Sequence, residues 1–191
     1  MANIDLRNWI NDIAAAGELK TIKGAEPKQE IGGILDIYQR RMGNPAVMFE
    51  DVPGFAKGHR VLANILTSVK RINIALGLPP QGSEMELIHW WRNYMRDAPT
   101  FAPREVNGGP LLENVSEGTG VNIESIPTPV WHEQDGGPFI GTACMVVMKD
   151  PDSGWVNYGA YRIQVHDRRT ASVMSGLSVE NVFAKKSSMS A

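Results

Sequence analysis

The sequence has 191 residues, of which 42% are hydrophobic and 21% charged, and its formal net charge is −2. These values are typical of a soluble globular protein, and the scattered basic residues argue against a nucleic-acid-binding surface. Apolar runs are shorter than the roughly 18 residues of a membrane helix, so no membrane partner is predicted. With the single cysteine Cys144 and no recognisable secretory leader, we expect a cytoplasmic protein without intramolecular disulfides.

Helical and extended patterns alternate over the first hundred residues. Predicted helices follow Asp5 up to Gly17, span about 28–42 and 68–76, and run from a capping-box serine, Ser83, to Met95. Short apolar runs at 19–22, 46–49 and 60–64 are strand candidates. Helices interleaved with strands indicate an α/β layer arrangement.

Residues 98–130 are rich in proline and glycine and are predicted to form a connector on the surface. After Asp135 the pattern becomes β, with strands expected at 139–148, 155–165 and 170–174. We therefore predict an α/β domain over residues 1–114. A second, β-rich domain is expected over 115–191, ending in a disordered tail at 185–191.

The histidines and the cysteine show no metal-binding spacing. His89 lies on an aromatic-rich helix and is expected to be a partly buried packing residue. For His132 and His166, contact with a ligand and an ordinary surface role are equally open. Cys144 lies in an apolar run, which favours a small buried hydrophobic residue over a nucleophile.

Asn157 and Arg162 lie five residues apart in the β-rich segment. On a flat strand this spacing places them on opposite faces, so they can share a ligand only if the strand bulges, twists or ends near Gly159. An asparagine carbonyl is a hard oxygen ligand for Mg²⁺, Mn²⁺ or K⁺, and an arginine fork holds a phosphate or carboxylate. On spacing alone, a turn asparagine and a solvated strand arginine is the favoured interpretation.

Six segments follow one another in an order that is shared with a known family. They are DLRNWINDIAAAGELKTI, GNPAVMFEDVPGF, VLANILTSVKRINIALGL, LLENV, IPTPVWHEQDGGPFIGT and DPDSGWVNYGAYRIQVHD, and they cover about residues 5–175. This series resembles the UbiD-type decarboxylases, which depend on prenylated FMN. Six short motifs in the right order are far more specific than any one of them.

The resemblance implies an N-terminal α/β domain that leads into a split β-barrel of the flavin-reductase type, which cradles prenylated FMN. It also implies a divalent ion, usually Mn²⁺, with K⁺ alongside. Asn157 matches the asparagine that binds the metal, and Arg162 matches the catalytic arginine that contacts the cofactor. The further cofactor-lining positions implied in this way are Thr142, Gly159, Ala160 and Tyr161.

The activity implied by the resemblance is the reversible, non-oxidative decarboxylation of an aromatic or α,β-unsaturated carboxylic acid. A flavin prenyltransferase would supply the cofactor, and a homo-oligomer or a partner subunit is expected. The family's later histidine and glutamate metal ligands and its catalytic acid have no counterpart after Asp167. We therefore expect the N-terminal part of such an enzyme, truncated within the barrel.

Two alternatives to a complete decarboxylase stay open. The first is a catalytically incomplete fragment or a non-catalytic subunit of such an enzyme. The second, more distant, is an FMN-binding split-barrel module with redox chemistry.

Overall fold

The structure is a computed structural model that describes residues 5–40, 43–99, 101–102, 106–142 and 144–173. The predicted disordered tail at 185–191 and the remainder of the second domain after Val173 lie outside the described residues. None of the helices in the described ranges is both long enough and apolar enough to cross a membrane.

A three-stranded sheet with helices around it forms the first part of the chain. The helices are α1 (Leu6–Ala15), α2 (Glu30–Gln39), α3 (Val69–Leu76) and α4 (Glu84–Asp97), and the strands are β1 (Leu19–Lys23), β2 (Ala46–Glu50) and β3 (Val61–Ala63). Strand β2 lies in the centre, parallel to β1 and antiparallel to β3. The mixed α/β arrangement and the type and order of all seven elements are confirmed.

Local capping explains where α1, α3 and α4 begin and where α3 ends. Asp5 and Ser68 each accept a backbone N–H group from the first turn of their own helix. Ser83 and Glu86 form the predicted reciprocal capping box of α4. Gly77 ends α3 in the left-handed conformation, with φ of +70°, which glycine adopts without steric cost.

Two apolar clusters lie on the two faces of the sheet. Val47 and Phe49 of β2 pack with residues of α2 in one cluster. Ala46, whose side chain points to the opposite face of β2, packs with Trp9 and Ile13 of α1 in the other cluster. Because neighbouring side chains of a strand point to opposite faces, β2 is buried on both sides, which suits its continuous apolar sequence.

A fully buried arginine, Arg71, links the strands of this sheet. Its guanidinium donates to the carboxylate of Glu18 at 2.8 Å, to the Thr67 hydroxyl at 2.7 Å, and to the backbone carbonyls of Asn44 and Ile65 at 2.8 and 3.2 Å. Burial lowers the pKa of Arg71, and the Glu18 carboxylate opposes that change. The charge is accepted in the interior because its donors are paired.

The connector returns to the first part of the chain at α2. The carbonyl of Val130 accepts the N–H of Gln29 at 2.8 Å, and the N–H of Val130 donates to the Pro27 carbonyl at 3.0 Å. Gly32 lies so close to Trp131 that an added Cβ atom would be 1.6 Å from the Trp131 carbonyl oxygen. This contact between backbones requires glycine.

The β-rich part consists of short antiparallel strands. They are β4 (Phe139–Ile140), β5 (Met145–Lys149), β6 (Val156–Ala160), β7 (Ile163–Val165) and β8 (Ala171–Val173). Within the described residues they form a sheet in the order β4-β7-β8 and a separate hairpin of β5 and β6. The β character is confirmed, whereas a split barrel and the boundary at residue 114 stay predictions.

Two predicted strands are each broken, and their halves belong to different sheets. The strand predicted at 139–148 divides between β4 and β5, at Gly141, whose φ of +68° departs from an extended chain. The strand predicted at 155–165 divides between β6 and β7, at Tyr161 and Arg162. The prediction of continuous strands was wrong because their apolar composition does not show which partner each half pairs with.

The buried pair of Arg71 and Glu18 gives a stability prediction. Replacing Glu18 with Ala leaves the buried Arg71 charge without its counter-ion, so we expect a loss of about 3–5 kcal/mol in the free energy of unfolding. The control is Lys70→Met, since Lys70 also contacts Glu18, at 3.2 Å, but is 40% exposed. Its expected cost is below about 1 kcal/mol. Urea unfolding measures both, and equal losses would contradict the role given to Arg71.

The close contact at Gly32 gives a second prediction, with the neighbouring glycine of α2 as its control. Gly32→Ala forces the connector away from the helix, and we expect a loss of about 3 kcal/mol. Gly33 is exposed and has nothing within 4 Å of an added Cβ. Gly33→Ala should therefore stabilise the helix by about 0.5–1 kcal/mol. Thermal or urea unfolding distinguishes the two, and equal stability of both variants would disprove the contact.

Candidate active site

A cavity of about 770 Å³ lies between the first part of the chain and the β-rich part. Its volume is within the usual range for small-molecule sites. Trp131, Phe139 and Ile140 are among the apolar residues of the wall. The polar side chains that line it include Asp36, Gln39, Arg60, Asn64, Thr142 and Arg162.

Arg162 occupies the break between β6 and β7, and two contacts hold its guanidinium. The guanidinium carbon lies 4.1 Å from the centre of the Phe139 ring, which is a cation–π distance. Nη1 donates to Oδ1 of Asp135 at 3.1 Å. The Arg162 side chain is nevertheless 44% exposed. One face and one edge of the cation are therefore held while the rest can meet a ligand.

Asp135, which the sequence analysis did not assign to the site, is the acidic partner of this arginine. Its side chain is only 8% exposed. Oδ2 accepts the backbone N–H of His132 at 3.0 Å. Burial by itself raises the pKa of Asp135, but the hydrogen bonds from His132 and Arg162 and their charges outweigh it, so the pKa lies below its usual value. The sequence signal that could have drawn attention to Asp135 is its position directly before the glycine pair Gly136–Gly137.

The hairpin carries the other predicted site residues. Asn157 pairs with Met148 across the hairpin, and its Nδ2 atom is buried without a hydrogen-bond partner in the described part of the chain. A Cβ atom at Gly159 would lie 2.2 Å from the Tyr161 ring. The space next to the Gly159 backbone is thus occupied by a side chain of the same protein.

The structure brings only some of the predicted residues to the cavity. Thr142 and Arg162 line it together. Asn157, Gly159 and Ala160 belong to β6, and these three and Tyr161 are not among its lining residues. The sequence analysis required the strand to bulge, twist or end near Gly159 if Asn157 and Arg162 were to share a ligand. This condition is met, because β6 ends at Ala160, the residue after Gly159. The functional roles of these six residues stay predictions.

The histidines and the cysteine differ in part from expectation. His89 is exposed, so the predicted packing role was wrong, because α4 lies on the surface and none of its residues is buried. His132 lines the cavity, and His166 shares a hydrogen bond of 2.8 Å with Ser172. Cys144 is half-buried in the cavity wall. It is not part of a strand, because it lies in the segment between β4 and β5.

The donor set fits a planar anion better than a metal ion. No group of three or more His, Cys, Asp or Glu side chains in the described ranges could hold a metal. Asn157 alone is too few oxygens for Mn²⁺ or K⁺, so the predicted metal site is not assembled by these residues. An arginine fork beside an apolar, aromatic wall suits a planar ligand that carries a phosphate or carboxylate.

Comparison with known families agrees with this description. A model of the 3-octaprenyl-4-hydroxybenzoate carboxy-lyase N-terminal domain matches residues 10–90, and a model of the Rift-related domain of the same carboxy-lyase matches residues 104–185. The chain belongs to the UbiD family.

Several curated relatives of the UbiD chain are decarboxylases of aromatic acids. It is 31% identical to the pyrrole-2-carboxylic acid decarboxylase of Pseudomonas aeruginosa, over 87% of this chain and 35% of the relative. It is 32% identical to a phenolic acid decarboxylase of a Streptomyces species, over 86% of this chain and 36% of that protein. The chain spans about a third of the length of these relatives.

Solved structures share the fold. The vanillic acid decarboxylase of Sedimentibacter hydroxybenzoicus in its closed form matches with a TM-score of 0.84 and 26% identity, over 97% of this chain and 41% of that one. HmfF of Pelotomaculum thermopropionicum, a UbiD-class enzyme solved with FMN, matches with a TM-score of 0.72 and 24% identity, over 94% and 39%. The second likeness concerns the fold alone.

The lowered pKa of Asp135 gives a prediction with a definite sign. A carboxylate with a folded-state pKa below its unfolded value of about 3.9 stabilises the fold above that pH, and this contribution is lost as pH falls through the folded pKa. The wild type should therefore exceed Asp135→Asn in stability by a constant amount above about pH 5, and the gap should shrink below about pH 4. Urea unfolding from pH 7 to pH 3 measures the gap, and a gap independent of pH would contradict the prediction.

Proposed function

We propose that this chain forms the flavin-binding part of a non-oxidative decarboxylase of an aromatic or α,β-unsaturated carboxylic acid, with prenylated FMN as its cofactor. The observation that carries the proposal is Arg162, held by Asp135 and Phe139 at the wall of the cavity. The aromatic-acid decarboxylases among its relatives support the substrate class.

The proposed role of Arg162 is to bind and orient an anionic group. Its guanidinium can form two parallel hydrogen bonds to a carboxylate or a phosphate, which fixes direction as well as position. The Thr142 hydroxyl lies on the same cavity wall and can donate a further hydrogen bond. The apolar side chains Trp131 and Phe139 would exclude water from the bound acid and so strengthen these contacts.

The hairpin residues have a supporting role in the proposal. Gly159, Ala160 and Tyr161 would contact the cofactor from the hairpin. Asn157 is proposed as one ligand of Mn²⁺, since its buried amide end has no partner in the described residues and the two ends of an amide are interchangeable in assignment. Further donors for Mn²⁺ and K⁺ would have to come from other residues.

When bound, the prenylated flavin supplies the electron sink for cleavage of the carboxylate carbon–carbon bond. The chain's own residues are proposed to hold the acid against it and to exclude water. A flavin prenyltransferase would provide the cofactor.

A second candidate is a subunit that acts only with another polypeptide. The favouring observation is an apolar surface on and beside the outer face of the hairpin, where Met145, Val147, Trp155 and Tyr158 are between 58% and 71% exposed. A continuous apolar surface of this kind is usually covered by other protein. This candidate retains the cofactor role of Arg162 but assigns turnover to the assembly.

Substitution of Arg162 tests the proposal. After co-expression with a flavin prenyltransferase, Arg162→Lys keeps the charge but loses the planar fork, so we expect about a 100-fold decrease in CO₂ release from a panel of aromatic acids. Bound flavin, measured by absorbance, should also decrease. Arg169→Lys is the matched control at an exposed arginine and should change neither quantity.

The possible outcomes separate the two candidates. Activity of the wild-type chain by itself favours the complete enzyme, and activity only after addition of a partner chain favours the subunit. Absence of flavin from the wild type under every condition would remove the basis for the roles of Asn157 and Arg162.

A further inference from the structure

We propose that Asp135 is a positioning residue that holds the Arg162 guanidinium over Phe139, so that its remaining nitrogens meet a carboxylate or phosphate in the cavity. The inference rests on the proposed function, because that function gives Arg162 its ligand. It adds a residue to which the family resemblance gave no role in the site.

The first argument is the asymmetry of the pair. Asp135 is almost fully buried, whereas nearly half of the Arg162 side chain is exposed. An exposed arginine normally samples many rotamers, and an ion pair at the surface restricts it little. Here the carboxylate is fixed in the protein and the cation is the mobile partner, so Asp135 orients Arg162 and not the reverse.

The second argument is that Asp135 is itself anchored to the strand that follows Arg162. Its Oδ2 accepts the His132 backbone N–H, which closes the turn. The next residues of the turn pack on Gln164 of β7, and a Cβ atom at Gly137 would lie 2.9 Å from Gln164 Nε2. Gln164 pairs in register with Phe139. The carboxylate, the aromatic ring and the arginine are therefore tied to one pair of strands.

The third argument is the hydrogen-bonding capacity that remains on Arg162. In the described part of the chain, Nη1 is the guanidinium nitrogen that forms a hydrogen bond, with Asp135. Nε and Nη2 are left to bind a ligand at two points. Because Asp135 offsets much of the positive charge, the ligand is selected by this fork geometry more than by net charge.

The primary experiment observes the arginine side chain directly in the flavin-free chain. The Nη1–H signal of Arg162 in ¹H–¹⁵N NMR spectra, assigned from its loss in Arg162→Lys, reports on how the guanidinium is held, because Nη1 is the nitrogen that donates to Asp135. We expect a resolved, slowly exchanging signal in the wild type and a shift to the position of exposed arginines in Asp135→Asn. An unchanged signal in Asp135→Asn would overturn the proposal.

A matched control lies at the far end of β7. Asp167 accepts the backbone N–H groups of Arg169 and Thr170, each at 2.8 Å, and so closes a turn as Asp135 does. Asp167→Asn should leave the Arg162 signal in place. If Asp135→Asn does not fold, Asp135→Ser keeps a hydroxyl that can accept the His132 N–H while it removes the carboxylate from Arg162, and the same shift is expected.

A binding measurement relates the positioning to the ligand. FMN titration followed by flavin fluorescence should give about a 10-fold weaker Kd for Asp135→Asn than for the wild type, and no further weakening when Asp135→Asn is added to Arg162→Lys. Additive losses would show that Asp135 acts independently of Arg162 and would overturn the proposal. Failure of the wild type to bind FMN would count against the proposed function, while the NMR signal still decides the role of Asp135.

Discussion

The buried cation of Arg71 is the constraint on which the first part of the structure depends. Its hydrogen bonds reach Glu18 just before β1, Asn44 just before β2, and the loop between β3 and α3. A buried guanidinium is tolerated only if nearly all of its donors are paired, so the three strands must come together at one end for any of them to be stable there. The helix that carries Arg71 is fixed at the same time, since its peptide carbonyl accepts the indole N–H of Trp9 at 3.4 Å.

Hydrogen-bonded amide side chains connect the surroundings of Arg71 to the cavity. Asn64 donates to the Asn44 side chain at 2.9 Å and accepts from Gln39 of α2 at 3.0 Å. Both asparagines have positive φ values, +59° for Asn64 and +25° for Asn44, which are costly for residues other than glycine. Gln39 and Asn64 also line the cavity, so the packing that pairs Arg71 shapes one of its walls. Strained backbone beside a cavity agrees with a binding role for this wall.

The opposite wall depends on the contact between the connector and α2. With Gly32 against its carbonyl, Trp131 donates its indole N–H to the Phe139 carbonyl at 3.1 Å. Phe139 in turn lies under Arg162. The site is thus held from both parts of the chain, as the proposed cofactor pocket requires. The exposed apolar residues of the hairpin, in contrast, favour the second candidate, a subunit whose hairpin is covered by further protein.

The sequence by itself determined the elements of the first part, the β character of the second and the family. Caps such as Asp5 and Ser83 and the apolar periodicity act within a few residues, so they can be recognised without the tertiary structure. It also named Thr142 and Arg162 as site residues, on a resemblance of motifs; both line the cavity, and their roles stay predictions. Only the tertiary structure decided where the strands break and which residue faces Arg162. Asp135 is 27 residues away in sequence, and the two meet because β7 pairs with β4 and not with the hairpin. Such pairing is a choice among apolar strands of similar composition, which local pattern does not distinguish.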